Sequence, residues 1–211
     1  MSGNERSPRR KRLRPEDRRA LIVAAAAEIF AAHGYDKASM REVAKAAGIS
    51  TPVLYDHFPS KAGLYAHLLE AHATAFIEHW SAPEPAETPE QLVTRSLDAI
   101  FSWIEGNEHA WRMIFLDTPG DAEVAKAHRR GQELATQRLA GLFHQIPELS
   151  LSVELERARA DELLAETSKW AVNALAAWWW RNRDVSREQV VLLARDLLWR
   201  GLASTTTRSG T

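Results

Sequence analysis

Cysteine is absent from the 211 residues. That excludes disulfide staples, thiolate nucleophiles and cysteine-based zinc or iron–sulfur sites. No apolar run approaches the roughly 20 residues a bilayer span needs. No apolar stretch follows the arginine-rich start as it does in a secretory leader, so the expected location is cytoplasmic, with no membrane partner. The HExxH, phosphate-loop, dinucleotide and nucleophile-elbow patterns are also missing, and neither enzymatic chemistry nor a cofactor is expected. His67, His72 and His79 share one helical segment, but spacings of five and seven miss the i, i+4 geometry of a helical zinc pair. No metal is expected. Net charge is nearly missing too, with 27 Lys and Arg against 28 Asp and Glu, which taken whole argues against a polyanion partner.

That balance hides a split. Up to Lys61 there are twelve basic and seven acidic residues, a balance of +5, and the rest carries 15 basic and 21 acidic residues, a balance of −6. A basic first third on an acidic remainder suggests a polyanion-binding module joined to a part with another job. With 45% hydrophobic residues the chain has enough apolar material for a real core.

The patterning is helical throughout, with no credible strand and no internal repeat, so the fold class is all-α. Residues 1–14 read as a disordered basic arm. Pro15-Glu16-Asp17 suits a helix start, proline at the first position and acids at the positive end of the dipole. Leu21, Ile22, Ala25, Ala26, Ile29 and Phe30 continue it at three- and four-residue spacing to His33-Gly34. Ser39 with Glu42 forms a capping box for a short second helix that stops at Gly48. Ser50 or Thr51 caps a third, with Pro52 in its first turn, running to about Phe58. Pro59-Ser60 opens a fourth that ends before Ala82-Pro83-Glu84-Pro85. Thr88-Pro89-Glu90-Gln91 and Ser186-Arg187-Glu188-Gln189 are further capping boxes, and breaks fall at Gly106-Asn107, Asp117-Thr118-Pro119-Gly120 and Pro147. Two long helices close the chain, about Val153 to Arg183 and Arg187 to about Leu202.

Ser39 to Lys61 thus holds two short helices around a tight glycine turn, the arrangement of a helix-turn-helix whose second helix enters the major groove. The residues sharpen this. Ser39 before the second helix, Ala47-Gly48-Ile49-Ser50 at the turn, Leu54-Tyr55-Asp56-His57-Phe58 in the third helix and Ser60-Lys61 opening the fourth closely resemble the DNA-binding domain of the tetracycline-repressor (TetR) family. The match covers roughly residues 15–70. The resemblance implies a DNA-binding domain over 15–62, a helical effector-binding and dimerisation domain over 63–203, and a disordered tail over 204–211.

The implied DNA contacts are Ser39, Arg41, Thr51, Pro52, Val53, Tyr55, His57 and Lys61. Tyr55, His57 and Lys61 suit phosphate, and a Thr51 or Val53 methyl can pack on a thymine methyl. Each has a plainer alternative: Tyr55 packed in the core, His57 a polar surface residue, Thr51 a helix cap. Asp56 accepts from a cytosine amino group or turns sideways to a Lys or Arg. The arm either only solubilises or follows a groove, and in the second case removing residues 1–13 flattens the slope of log K against log[salt] by about 0.9 per phosphate lost.

A single helix-turn-helix reads few base pairs, so a homodimer is expected, through the last two helices at about 153–202, which are apolar on more faces than one chain needs. Trp178-Trp179-Trp180 cannot all face one side. The resemblance further implies a small-molecule effector, apolar or aromatic, with Trp103, Trp111, Phe115 and Trp170 as candidate walls and Asn173 as a polar anchor. The expected function is a dimeric, operator-binding regulator of the repressor type. Two alternatives stay open: a helical small-molecule carrier or enzyme with a vestigial DNA-binding domain, and an architectural DNA binder without an effector.

Overall fold

The computed structural model describes residues 14–80, 88–117, 119–146 and 154–206. The arm, the Ala82–Pro85 segment, Thr118, Pro147, Val153 and the last five residues lie outside them. Nine helices and no strand occur among the described residues: α1 (Pro15–Lys37), α2 (Met40–Ala46), α3 (Thr51–His57), α4 (Lys61–Trp80), α5 (Pro89–Gly106), α6 (Glu108–Phe115), α7 (Ala122–His144), α8 (Arg157–Arg181) and α9 (Arg187–Thr206). None of the described helices is long and apolar enough to cross a membrane. The chain divides into two compact units between Leu68 and Leu69, inside α4 and six residues beyond the boundary expected from sequence.

In the first unit, α1 breaks its helical dihedrals at Gly34, where φ is 70°. The helix read from sequence ends there, and one further turn follows the kink. Both halves of the Ser39 and Glu42 capping box form: the Ser39 hydroxyl accepts from the Glu42 N–H, and the Glu42 carboxylate accepts from the Ser39 N–H. At the other end of α2 the Ile49 N–H donates to Ala44 O and the Gly48 N–H to Lys45 O. This is a Schellman closure, and it needs Gly48 at φ 66°, in the left-handed region where a Cβ is costly. The turn aims α3 away from α2 within two residues. Ile22, Phe30, Val43, Leu54, Leu64 and Tyr65 fill the core beneath these helices, so the small unit holds α3 rigidly from one side.

In the second unit α7 packs along α8, and α5 along α9. Asp121 caps α7, and the Thr88 and Ser186 boxes form as the sequence indicates. The helix expected from about Val153 starts at Arg157, and the last helix runs past Leu202 to Thr206. Arg157 accounts for the later start of α8. Its guanidinium donates to the Phe143 and Ile146 carbonyls at the end of α7 and to the buried Asp161 carboxylate. It therefore ties the end of one helix to the start of the next. Phe101, Ile104, Trp111, Val124, Ala165 and Trp179 form the centre of the core.

Of the three consecutive tryptophans, Trp179 is buried against Phe101 and donates to Val185 O. Trp180 approaches Trp111 and lies under the Arg183 guanidinium. Trp178 is exposed. One of the three is therefore left facing outward.

Candidate functional site

The recognition candidate α3 carries Thr51 and Val53 half-buried and Pro52, Tyr55 and Asp56 exposed. Tyr55 does not pack in the core, so its phenol is available at the surface. Leu54 and Phe58 take the core positions. Arg19 braces the C-terminal end of α3: its guanidinium lies 4.2 Å from the Phe58 ring centroid and donates to His57 O. That contact uses the backbone of His57 and leaves the half-buried imidazole uncommitted. Asp56 forms no ion pair with a Lys or Arg among the described residues, which removes the sideways pairing as its observed state. Ser39 and Arg41 are exposed beside α2, although the Ser39 hydroxyl is engaged in the capping box.

Lys61 departs from the expectation of a free phosphate donor. Its ammonium lies 2.7 Å from Tyr35 O, 3.3 Å from Asp36 O and 3.1 Å from Ala38 O, and 4.4 Å from the Tyr35 ring centroid. An ammonium has three N–H donors, and these carbonyls take all of them. The physical reason is that α1 ends at Lys37, which leaves the carbonyls of its last turn without helical partners. Lys61 closes that corner and so holds α2 in place. Lys61→Met is expected to lower the stability of the first unit by about 2 kcal/mol, from lost charge-assisted bonds, as read by urea unfolding. A stability equal to the parent would contradict this role.

The second unit contains an apolar cavity of about 80 Å³. Phe76 and Trp80 of α4, Leu92 and Ile100 of α5, Phe143 of α7 and Val172 of α8 are among its walls. Phe115 and Asn173 line it as well. Asn173 is held from two sides: its Oδ1 accepts from the Trp111 indole at 3.4 Å and its Nδ2 donates to Lys169 O at 2.9 Å. Trp103 and Trp111 are not among the cavity walls; both are core, and Trp103 packs at a tilt against Phe76 with 4.8 Å between centroids. Trp170 lies 56% exposed on α8 and does not line this cavity; it borders a more open groove with Phe115, Glu166 and Lys169. Its indole donates to Glu166 there. The walls that sequence reasoning missed, Trp80 and Ser96 above all, sit on the α4 and α5 stripes that read simply as core.

Residues 22–68 match the family model described as bacterial regulatory proteins of the tetR family. Over 205 residues the chain is 29% identical to the HTH-type transcriptional activator FasR of Mycolicibacterium smegmatis, covering 95% of this chain and 89% of that protein. The chain carries a TetR-family DNA-binding domain. It is a transcriptional regulator with a helix-turn-helix DNA-binding domain, and its curated relatives are regulators too. The fold agrees with solved members. The fatty acid degradation regulator FadR from Bacillus halodurans superposes with a TM-score of 0.73 at 19% identity, over 91% of this chain and 98% of that one. FadR from Bacillus subtilis, solved in complex with stearoyl-CoA, gives 0.68 at 18% identity, over 87% and 97%.

The second unit also carries shifted ionisable groups. Burial holds the His72 imidazole below its ordinary value. Burial does the same to His128, where bonds to the Asp117 and Ile114 carbonyls oppose it. Burial pushes the Glu166 carboxyl up, but the bonds from Lys169 and Thr136 outweigh it and leave it low. For the two histidines the folded chain resists a proton that the unfolded chain accepts near pH 6.5. Stability is therefore full above about pH 6.5 and is lost as pH falls toward the folded-state values. Unfolding free energies at pH 7.5 and 5.5 are expected to show this loss, and His72→Gln to reduce it. A variant with the parent's full loss would place the effect elsewhere. Among the described residues no three His, Asp or Glu converge on a metal position.

Proposed function

We propose that the chain is a homodimeric repressor that binds its operator through α3 and is released when a small apolar ligand fills the cavity of the second unit, without turning that ligand over. It acts in the cytoplasm on double-stranded operator DNA. Thr51, Pro52 and Val53 read base edges in this proposal, while Ser39, Arg41, Tyr55 and His57 position the helix on backbone. The observation that carries the reading is an exposed helix-turn-helix face in one unit together with an apolar cavity in the other. A purely architectural binder has no use for such a cavity.

The dimer rests on the outer faces of α8 and α9. Leu163, Trp170 and Trp178 repeat at seven and eight residues along α8, and Leu193 and Leu197 at four along α9, all exposed. Large apolar residues recurring on one stripe mark a surface meant to be covered, and the family's two-fold bundle covers it with the same helices of a second copy. Filling the cavity then biases the dimer toward states whose recognition helices no longer match successive major grooves. An acyl chain, as in the stearoyl-CoA of the Bacillus subtilis fold relative, suits the apolar walls. Activation in place of repression is favoured by one observation, the name of the FasR relative.

The test is fluorescence anisotropy with the DNA flanking the chain's own gene at moderate salt. A saturable, sequence-selective shift that Tyr55→Ala weakens is expected. Binding indistinguishable from random DNA overturns the reading. Transcription of the adjacent gene in a deletion strain, raised for a repressor and lowered for an activator, separates the two modes.

A further inference from the structure

The cavity wall is apolar except for five groups, and three of these are already bonded or partly open to solvent. Asn173 is held by Trp111 and Lys169 O. Ser168 is half-buried on α8. Lys169, the only charged residue in the wall among the described residues, is 6% exposed and points its ammonium at Thr136 Oγ1 (2.8 Å), Glu166 Oε1 (2.7 Å) and Gln132 O (3.5 Å). Those acceptors use its three N–H donors. No free cation therefore faces the cavity.

The other two groups are different. Trp80 Nε1 and Ser96 Oγ are both buried and both lack a hydrogen-bond partner, in side chains only 4% and 8% exposed. A helical serine ordinarily satisfies its hydroxyl on the carbonyl four residues back. Thr94 does so on the same helix, donating to Glu90 O at 2.8 Å, and Thr136 donates to Gln132 O. Ser96 does not use Leu92 O. An indole N–H and a hydroxyl left unpaired in an apolar enclosure are costly unless something completes them, and buried polar groups are almost always completed. Both side chains belong to the wall of one cavity.

We propose that Trp80 and Ser96 form the polar end of the ligand site and select an apolar ligand bearing a neutral carbonyl oxygen, as in a ketone, ester, thioester or amide, over the free carboxylate of the same chain. The inference rests on the reading of this cavity as the effector site. An indole N–H can only donate, which calls for an acceptor on the ligand, and a carbonyl oxygen has two lone pairs for the two donors. A carboxylate adds a charge that the enclosure cannot neutralise, because Lys169 is already committed.

The test uses the full-length protein and three probes: 2-heptanone, its isostere 2-methyl-1-heptene, which has a methylidene group in place of the carbonyl, and heptanoate at pH 8. Ser96→Ala and Trp80→Phe are each expected to weaken 2-heptanone about five- to tenfold, the range of one lost neutral hydrogen bond. Both are expected to leave the alkene within about twofold. Heptanoate is expected to bind at least about tenfold more weakly than the ketone. The Tm of ligand-free Ser96→Ala is expected to equal or exceed the parent's, since the variant removes an unpaired buried hydroxyl, whereas a structural role for Ser96 would lower it. The proposal is overturned if both variants change ketone and alkene equally, or if heptanoate matches the ketone. If neither neutral probe binds the parent protein, the effector-cavity reading itself fails. Alkene binding without a Ser96- and Trp80-dependent contribution to the ketone overturns the carbonyl proposal alone.

Discussion

Leu197→Asp is expected to convert the dimer to a monomer and to lower operator affinity at least about a hundredfold. Leu197 is 60% exposed, one turn from Leu193 on the outward stripe of α9, where the proposed interface buries it. A carboxylate there must be desolvated without a partner, and a two-fold axis brings a second one near it. Each copy therefore carries a cost of several kcal/mol. A monomer offers one recognition helix, and losing half of an operator's contacts costs far more than a single mismatched base pair, itself about 1–3 kcal/mol. Sedimentation and anisotropy on the same sample check both effects. A dimeric Leu197→Asp protein with parental operator affinity would remove α9 from the interface.

Trp111→Ala is expected to lower stability by about 3–5 kcal/mol, the range for deleting a fully buried large aromatic. For a chain of this size that corresponds to a fall in Tm of about 10 °C. Trp111 is 0% exposed, approaches Trp180 and donates to Asn173, so the substitution leaves both a hole and an unpaired amide oxygen. Trp170→Ala serves as its contrast. With its ring mostly in solvent, Trp170 contributes little to the fold of one chain, and its loss is expected to show only as a Tm that depends more steeply on protein concentration. Equal Tm losses for the two variants at every concentration would contradict the placement of both rings.

The two tryptophans also mark how far the sequence can be read. The helix-turn-helix is legible because its signals are local: the Ser39 and Glu42 box, Gly48 at the only left-handed residue of the turn, and Pro52 in the first turn of α3. Each fixes backbone geometry without reference to distant residues. Lys61 is different, since its partners at Tyr35, Asp36 and Ala38 lie more than twenty residues away and are free only because α1 ends at Lys37. The ligand cavity is the least legible part. On α8 apolar residues occur on several sides, so helical spacing places Trp170 on a face without saying whether core, cavity or a second copy meets that face. Phe115 and Asn173 line the cavity and Trp170 does not, a difference set by tertiary packing and not by spacing. Ser96 gives no sequence signal at all. A serine on an otherwise apolar stripe reads as a tolerated core residue, and only the missing bond to Leu92 O sets it apart from Thr94.

Cavity and operator are tied by reciprocity, because two sites coupled through one equilibrium change each other's affinity by the same factor, typically about 5- to 150-fold. The most direct measurement is therefore a pair of binding constants: the operator Kd with the cavity saturated by a ligand that Trp80→Phe weakens, and that ligand's Kd with operator saturating. A ligand-responsive repressor weakens both by an equal factor. An operator affinity unchanged by a ligand that occupies the cavity would contradict it.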